Sequence, residues 1–173
     1  LGARDAALVD ASQMGGAGAA PGTTPGAAAG GLTVSLASDT PASVTVARGA
    51  SSVGLLALNL TAAGGDVTMS ALTVKRFGVG AVTDWANLYL YKDGARLTDG
   101  RTINTQTNEA VFSGLTLAIA SGSTAKLWLK GDVAVAAGTT THGFQVVSGA
   151  AVQSTASAAN GSFPISGNSM SIG

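Results

Sequence analysis

Few side chains in this sequence can do covalent or acid–base chemistry. There is one histidine, His142, in the run GTTTHGF; Glu109 is the lone glutamate, and cysteine is absent. A serine hydrolase needs a base beside a nucleophile presented on a sharp strand-to-helix turn, and no G-x-S-x-G motif occurs. His142 therefore reads as a loop or strand-edge residue rather than a general base. Without cysteine there is neither a disulfide framework nor a thiolate metal site. Asp39, Asp66, Asp84, Asp93, Asp99 and Asp132 are scattered, with no D-x-[DN]-x-[DN] loop, which leaves calcium only a site assembled across loops. Gly16, Gly18 and Pro21 nearly mimic a dinucleotide fingerprint, but no strand precedes them and no helix follows. No cofactor is expected.

The aromatic residues are the better candidates for a site. Tyr89 and Tyr91 alternate on one strand, and Trp128 lies between Lys126 and Lys130 on the corresponding face of another. With Trp85 they could form a stacking platform for sugar rings, an interface between subunits, or packing in a sheet apolar on both faces. Two N-x-[ST] sequons occur, at Asn59 and Asn160. Asn59 falls within a strand pattern and Asn160 in a loop, so Asn160 is the candidate glycosylation site.

These residues must be positioned by strands. Leu32, Val34 and Leu36 alternate with polar residues, as do Leu56, Leu58 and Leu60, then Leu72 and Val74, then Leu88 and Leu90. Further period-two runs follow at Leu115–Ile119, at Ala125–Val135 with a bend expected at Gly131, and around Phe144, Phe163 and Met170. Asp93-Gly94 suits a two-residue hairpin turn, and Asp99-Gly100 gives a second turn signal. No window after residue 31 sustains a helical period. The pattern predicts an all-β, antiparallel sandwich over residues 32–173, each sheet solvated on one face.

Residues 1–31 differ. The stretch GGAGAAPGTTPGAAAGG uses only Gly, Ala, Pro and Thr, the composition of an extended linker, and LGARDAALVDASQM before it has no dominant period. Ala7, Leu8, Val9 and Met14 in this arm, and Leu32, Val34 and Leu36 in the first strand, are the candidate residues for contact between subunits. The chain opens on Leu1 with no signal segment before it, and reads as processed or as excised from something longer.

Composition narrows the function. Of 173 residues, 46% are hydrophobic and only 10% charged; nine basic and nine acidic groups cancel. That balance offers no basic stripe for phosphates and argues against nucleic acid as a partner. A sparsely charged surface at zero net charge resists self-association poorly. No apolar run is long enough to span a membrane.

The segment Asn87–Val135 carries an NLYL hairpin, an FSGLTL step and a KLWLKGDV strand, and Ser162–Gly173 reads SFPISGNSMSIG. In these motifs the chain resembles an immunoglobulin-like sandwich repeat of secreted prokaryotic surface proteins, from about Leu32 to Gly173. The resemblance implies an exported structural module. A looser similarity, resting on arm plus sandwich, is to pilins that polymerise by donor-strand complementation. Two readings stand: a subunit of an extracellular filament interlocked with copies of itself through the arm or first strand, and a cell-surface adhesive or carbohydrate-binding module whose partner is polysaccharide. Neither is enzymatic.

Overall fold

The computed structural model describes residues 30–173. Among these described residues thirteen strands, the longer ones built from the alternating segments, form two packed sheets. β1 (Gly31–Leu36), β3 (Val53–Ala63), β8 (Thr124–Val133), β5 (Trp85–Lys92) and β6 (Ala95–Arg96) run across the first, which β11 (Ala159–Asn160) closes beside β1. The second is built on β4 (Val67–Phe77), which pairs with β7 (Glu109–Ile119), β10 (Val152–Ser154) and β9 (Thr140–Val146). β12 (Ile165–Ser166) and β13 (Met170–Ile172) line the far side of β9, and β2 (Thr45–Val46) lies beside β13.

Alternation does what the sequence implies. In β8 every second residue from Ala125 to Val133 is buried, while Lys126, Trp128, Lys130 and Asp132 face outward. Leu32, Leu56, Leu60, Met69, Leu72, Leu88, Leu90, Phe112, Phe144 and Met170 are sealed between the sheets. Each such aliphatic or aromatic side chain contributes about 1.5–3 kcal/mol through burial. The all-β sandwich is therefore the observed fold.

Three details depart from expectation. All the long strand pairs are antiparallel, but β1–β11 and β13–β2 are parallel, so both sheets are mixed. Parallel neighbours need a long connection, and here much of the sandwich itself supplies it. β8 runs through Gly131, where a Cβ would sit 2.8 Å from Leu88 Cδ2 and from Trp85 Cε3, so the glycine admits those two side chains. The strand stops at Val133, and Val135, read as a core residue, is 83% exposed. Asp93-Gly94 forms the expected turn between β5 and β6, with φ of 51° and 80° at the two residues.

Candidate functional site

The outer face of the first sheet gathers most of the aromatic candidates. On β5 and β8, Tyr91 lies directly opposite Trp128 and Tyr89 opposite Lys130. All four are half-buried. Lys130 Nζ stands 4.6 Å from the Tyr91 ring centroid, and Arg96 Cζ 5.1 Å from that of Tyr89, both within cation–π range. The Tyr89 hydroxyl donates to Asp132 Oδ2 at 2.9 Å, and Asp132 Oδ1 accepts the Ser52 N–H at 2.8 Å. That bond to a carboxylate, with some burial, pushes the Tyr89 phenol above its ordinary range. Tyr91, Gly94, Trp128 and Lys130 line a shallow cleft of about 130 Å³.

Trp85 does not join them. It is 2% exposed, edge-on to Phe144 at 5.6 Å and to His142 at 6.0 Å. By simple alternation it would share the outward face of Tyr89 and Tyr91. A register shift between Trp85 and Asn87, where β5 pairs with β8, reverses its side and sends the indole into the core. Its Nε1 has no hydrogen-bond partner there.

His142 is also corrected. Instead of lying in a loop or at a strand edge, it sits within β9 at 0% exposure, at the centre of a polar network. Arg76 Nη1 lies 2.9 Å from His142 Nδ1, and Asp84 Oδ2 lies 3.1 Å from Nε2. A guanidinium can only donate, so Nδ1 must be bare and the proton must sit on Nε2, facing the carboxylate. The imidazole is therefore neutral. Burial and the neighbouring Arg76 charge both depress its pKa, outweighing the pull of Asp84.

Asp84 ends a 3-10 turn spanning Val82–Asp84. It accepts from the Ala81 N–H at 3.1 Å, the Gly138 N–H at 3.3 Å and the Thr140 hydroxyl at 2.9 Å as well as from His142. Burial alone would raise this carboxyl, but the donors from Thr140, Gly138, Ala81 and His142 hold it below its ordinary value. The network joins three chain segments, at Arg76, Ala81–Asp84 and Gly138–His142. The imidazole is sealed and the carboxylate already accepts four hydrogen bonds.

The candidates for subunit contact divide. Ala7, Leu8, Val9 and Met14 lie outside the described residues. Leu32 and Val34 are in the core, and β1 pairs with β3 on one side and β11 on the other. Leu36 is 44% exposed and, with Val34, lines a groove of about 490 Å³ against Gly161–Ser166. Asn160 is exposed, in β11 rather than in a loop, opposite Thr33.

The sequence marks the second half of β7, the alternating Leu115–Ile119, but neither its start at Glu109 nor its unpaired edge. Among the described residues β7 pairs with β4 alone, so one side of this eleven-residue strand is open. Ala110 and Phe112 are buried while Val111 is 51% exposed. Leu97, Gly114, Leu115, Thr116 and Leu117 form a notch of about 140 Å³ beside it. The other sheet margins, at β6, β11, β2 and β10, are strands of two or three residues.

Among the described residues no three His, Cys, Asp or Glu groups converge to hold a metal ion, and no helix is long and apolar enough to cross a membrane. No protein-family model matches the chain, and no curated protein matches it. In structure it is similar to a family 123 glycoside hydrolase from Clostridium perfringens, studied for glycolipid glycan hydrolysis. The TM-score is 0.45 at 11% identity, over 82% of this chain and 27% of that one. The chain thus spans about a quarter of that hydrolase. A likeness at that level carries no argument about activity.

Proposed function

We propose that the chain is a structural, non-enzymatic subunit of an extracellular filament, in which residues 6–14 of one copy add as a strand to β7 of the next. The observation that carries this reading is the open edge of β7. Between Ala110 and Ile119 it has no charged residue and no proline. Natural sheets blunt their edges with charges, proline, bulges or very short strands; β7 carries one bulge, at Gly114–Thr116, and its uncharged paired runs Ala110–Ser113 and Leu117–Ile119 lie on either side of it. A long, uncharged edge is a template for another strand.

The donor is assigned to the arm because β1, the other contender, is already paired with β3 along its whole length and with β11 at Leu32 and Thr33, and its Leu32 and Val34 are buried in its own core. The linker's length supports reach. Residues 15–30, fully extended, span at most about 53–58 Å. As a coil they average about 20–25 Å. A sandwich of this size has a radius of gyration near 14 Å, so an extended linker crosses a subunit.

Ordering the arm costs on the order of 1–2 kcal/mol per residue. Its small side chains recover little by burial, so backbone hydrogen bonding along an edge is the compensation available. Pairing between copies is heterologous and grows a filament unless it closes into a ring. Pairing of the arm with its own β7 would close the edge and leave a monomer. The buried, saturated state of the His142–Asp84 network supports the non-enzymatic part of the reading. The resemblance to exported sandwich repeats supports the extracellular setting.

The test is deletion of residues 1–29, which leaves every described strand intact. The expected product is a folded monomer by sedimentation and negative-stain microscopy, where the full chain gives filaments. Filaments from the truncated chain, or a full chain that stays monomeric, would overturn the proposal.

A further inference from the structure

The outer face of the first sheet carries a feature that filament assembly through β7 does not use. Tyr91 and Trp128 stand directly opposite each other on neighbouring strands, and their cleft opens at Gly94, where a Cβ would meet nothing within 4 Å. The backbone there is at φ +80°, in a turn rather than under packing. Half-buried rings with an open approach present an apolar, electron-rich face.

The charges around this cleft are not balanced. Lys126 is paired with Asp39 at 2.6 Å, and Lys92 with Asp93 at 2.7 Å. Asp132 is occupied by the Tyr89 hydroxyl and the Ser52 N–H. Lys130 and Arg96 form no ion pair among the described residues; each stands over a tyrosine ring instead. Two cations without carboxylate partners therefore flank two adjacent aromatic positions. An occupant that complements them has an apolar face for the rings and carboxylates for the cations. Nucleic acid fits poorly, since two cations neutralise too few phosphates to hold a strand at physiological salt.

We infer that this face binds an acidic polysaccharide, a chain of carboxylate-bearing pyranose units, by stacking sugar rings on Tyr91 and Trp128 while Lys130 and Arg96 meet the carboxylates. The C–H faces of a pyranose suit the negative faces of the rings, and the cations select acid over neutral sugar. Tyr89 acts as a positioning residue: its bond to Asp132 fixes the ring under Arg96. The filament would thus display one such face per subunit, and many weak sites along a polymer add up.

The experiment measures retention of the full chain by immobilised polygalacturonate, with fully methyl-esterified polygalacturonate as the control that removes only the charge. The acid polymer should retain the protein and the ester should not, with retention falling as salt rises. Trp128→Ala should weaken binding about tenfold, the worth of one aromatic contact. Lys130→Gln should weaken it about threefold to fivefold and narrow the preference for acid over ester by the same factor, Arg96 keeping the remainder. Both residues are half-buried on an outer face, so unchanged thermal midpoints are expected and show that folding is preserved. Retention of neither polymer, equal retention of both, or a Trp128→Ala variant that changes oligomeric state while binding as before would overturn the inference.

Discussion

Replacing His142 with Ala probes the most tightly built part of the molecule. The imidazole is fully enclosed, accepts from Arg76 and donates to Asp84. Removing it leaves Asp84 with donors from Thr140, Ala81 and Gly138, but leaves Arg76 Nη1 only a long 3.5 Å contact to Gly78 O. Arg76 Nε already lacks a partner. Arg76 Nη2 keeps Asn108 Oδ1 at 3.1 Å, so the guanidinium loses its shorter acceptor and not all of them; with the volume of a ring, that costs about 3–5 kcal/mol. For a domain of this size that lowers the thermal midpoint by about 10–15 °C. Unfolding can be followed through Trp85, whose ring packs edge-on against both His142 and Phe144. The pH profile supplies an independent check. Because the folded pKa of His142 lies below its ordinary value of 6.5, the unfolded chain takes up the proton first. Stability from this residue is therefore complete above about pH 6.5 and declines as pH falls below it, toward the depressed folded value. Asp84, also depressed, adds a second loss only below its ordinary 3.8. The Ala variant should lack the first decline and keep most of the second. A destabilisation under about 1 kcal/mol, or a variant whose profile still declines below pH 6.5 as the parent's does, would refute the reasoning.

Two substitutions address other links. Gly131→Ala should destabilise by about 1–3 kcal/mol, because its Cβ meets Leu88 and Trp85 at 2.8 Å, and denaturant midpoints measure this. Val111→Lys, on the outward face of the edge strand β7, should change stability by less than about 0.5 kcal/mol yet abolish filaments in negative stain, since a charge on an edge strand blocks pairing.

What the sequence revealed and what it hid follow from range. Strand existence is local: the alternation of Leu32 with Val34, of Leu127 with Leu129, and the Asp93-Gly94 turn depend on neighbours a few residues away, and each was readable. The burial of His142 depends on Arg76 and Asp84, which lie 66 and 58 residues distant, so its run of threonines looked like a surface loop. Trp85 was misassigned because one bulge inverts alternation and leaves no mark in composition. The Tyr89, Tyr91 and Trp128 cluster was legible, since all three obey unbroken alternation on adjacent strands. The openness of β7 was not, because an edge is defined by which strand fails to pair with it, a property of the whole topology.

The absence of native cysteine makes one measurement especially direct. Leu8→Cys and Val9→Cys, one for each face of the arm, would each be mixed with a second population carrying Val111→Cys, under mild oxidation. Strand addition between copies should yield a disulfide-linked heterodimer with one of the two arm variants, and a ladder of covalent multimers when both sites are placed in one chain. If neither arm variant cross-links to Val111→Cys in another molecule, or the doubly substituted chain closes only on itself as a monomer, the arm does not join neighbouring subunits through β7.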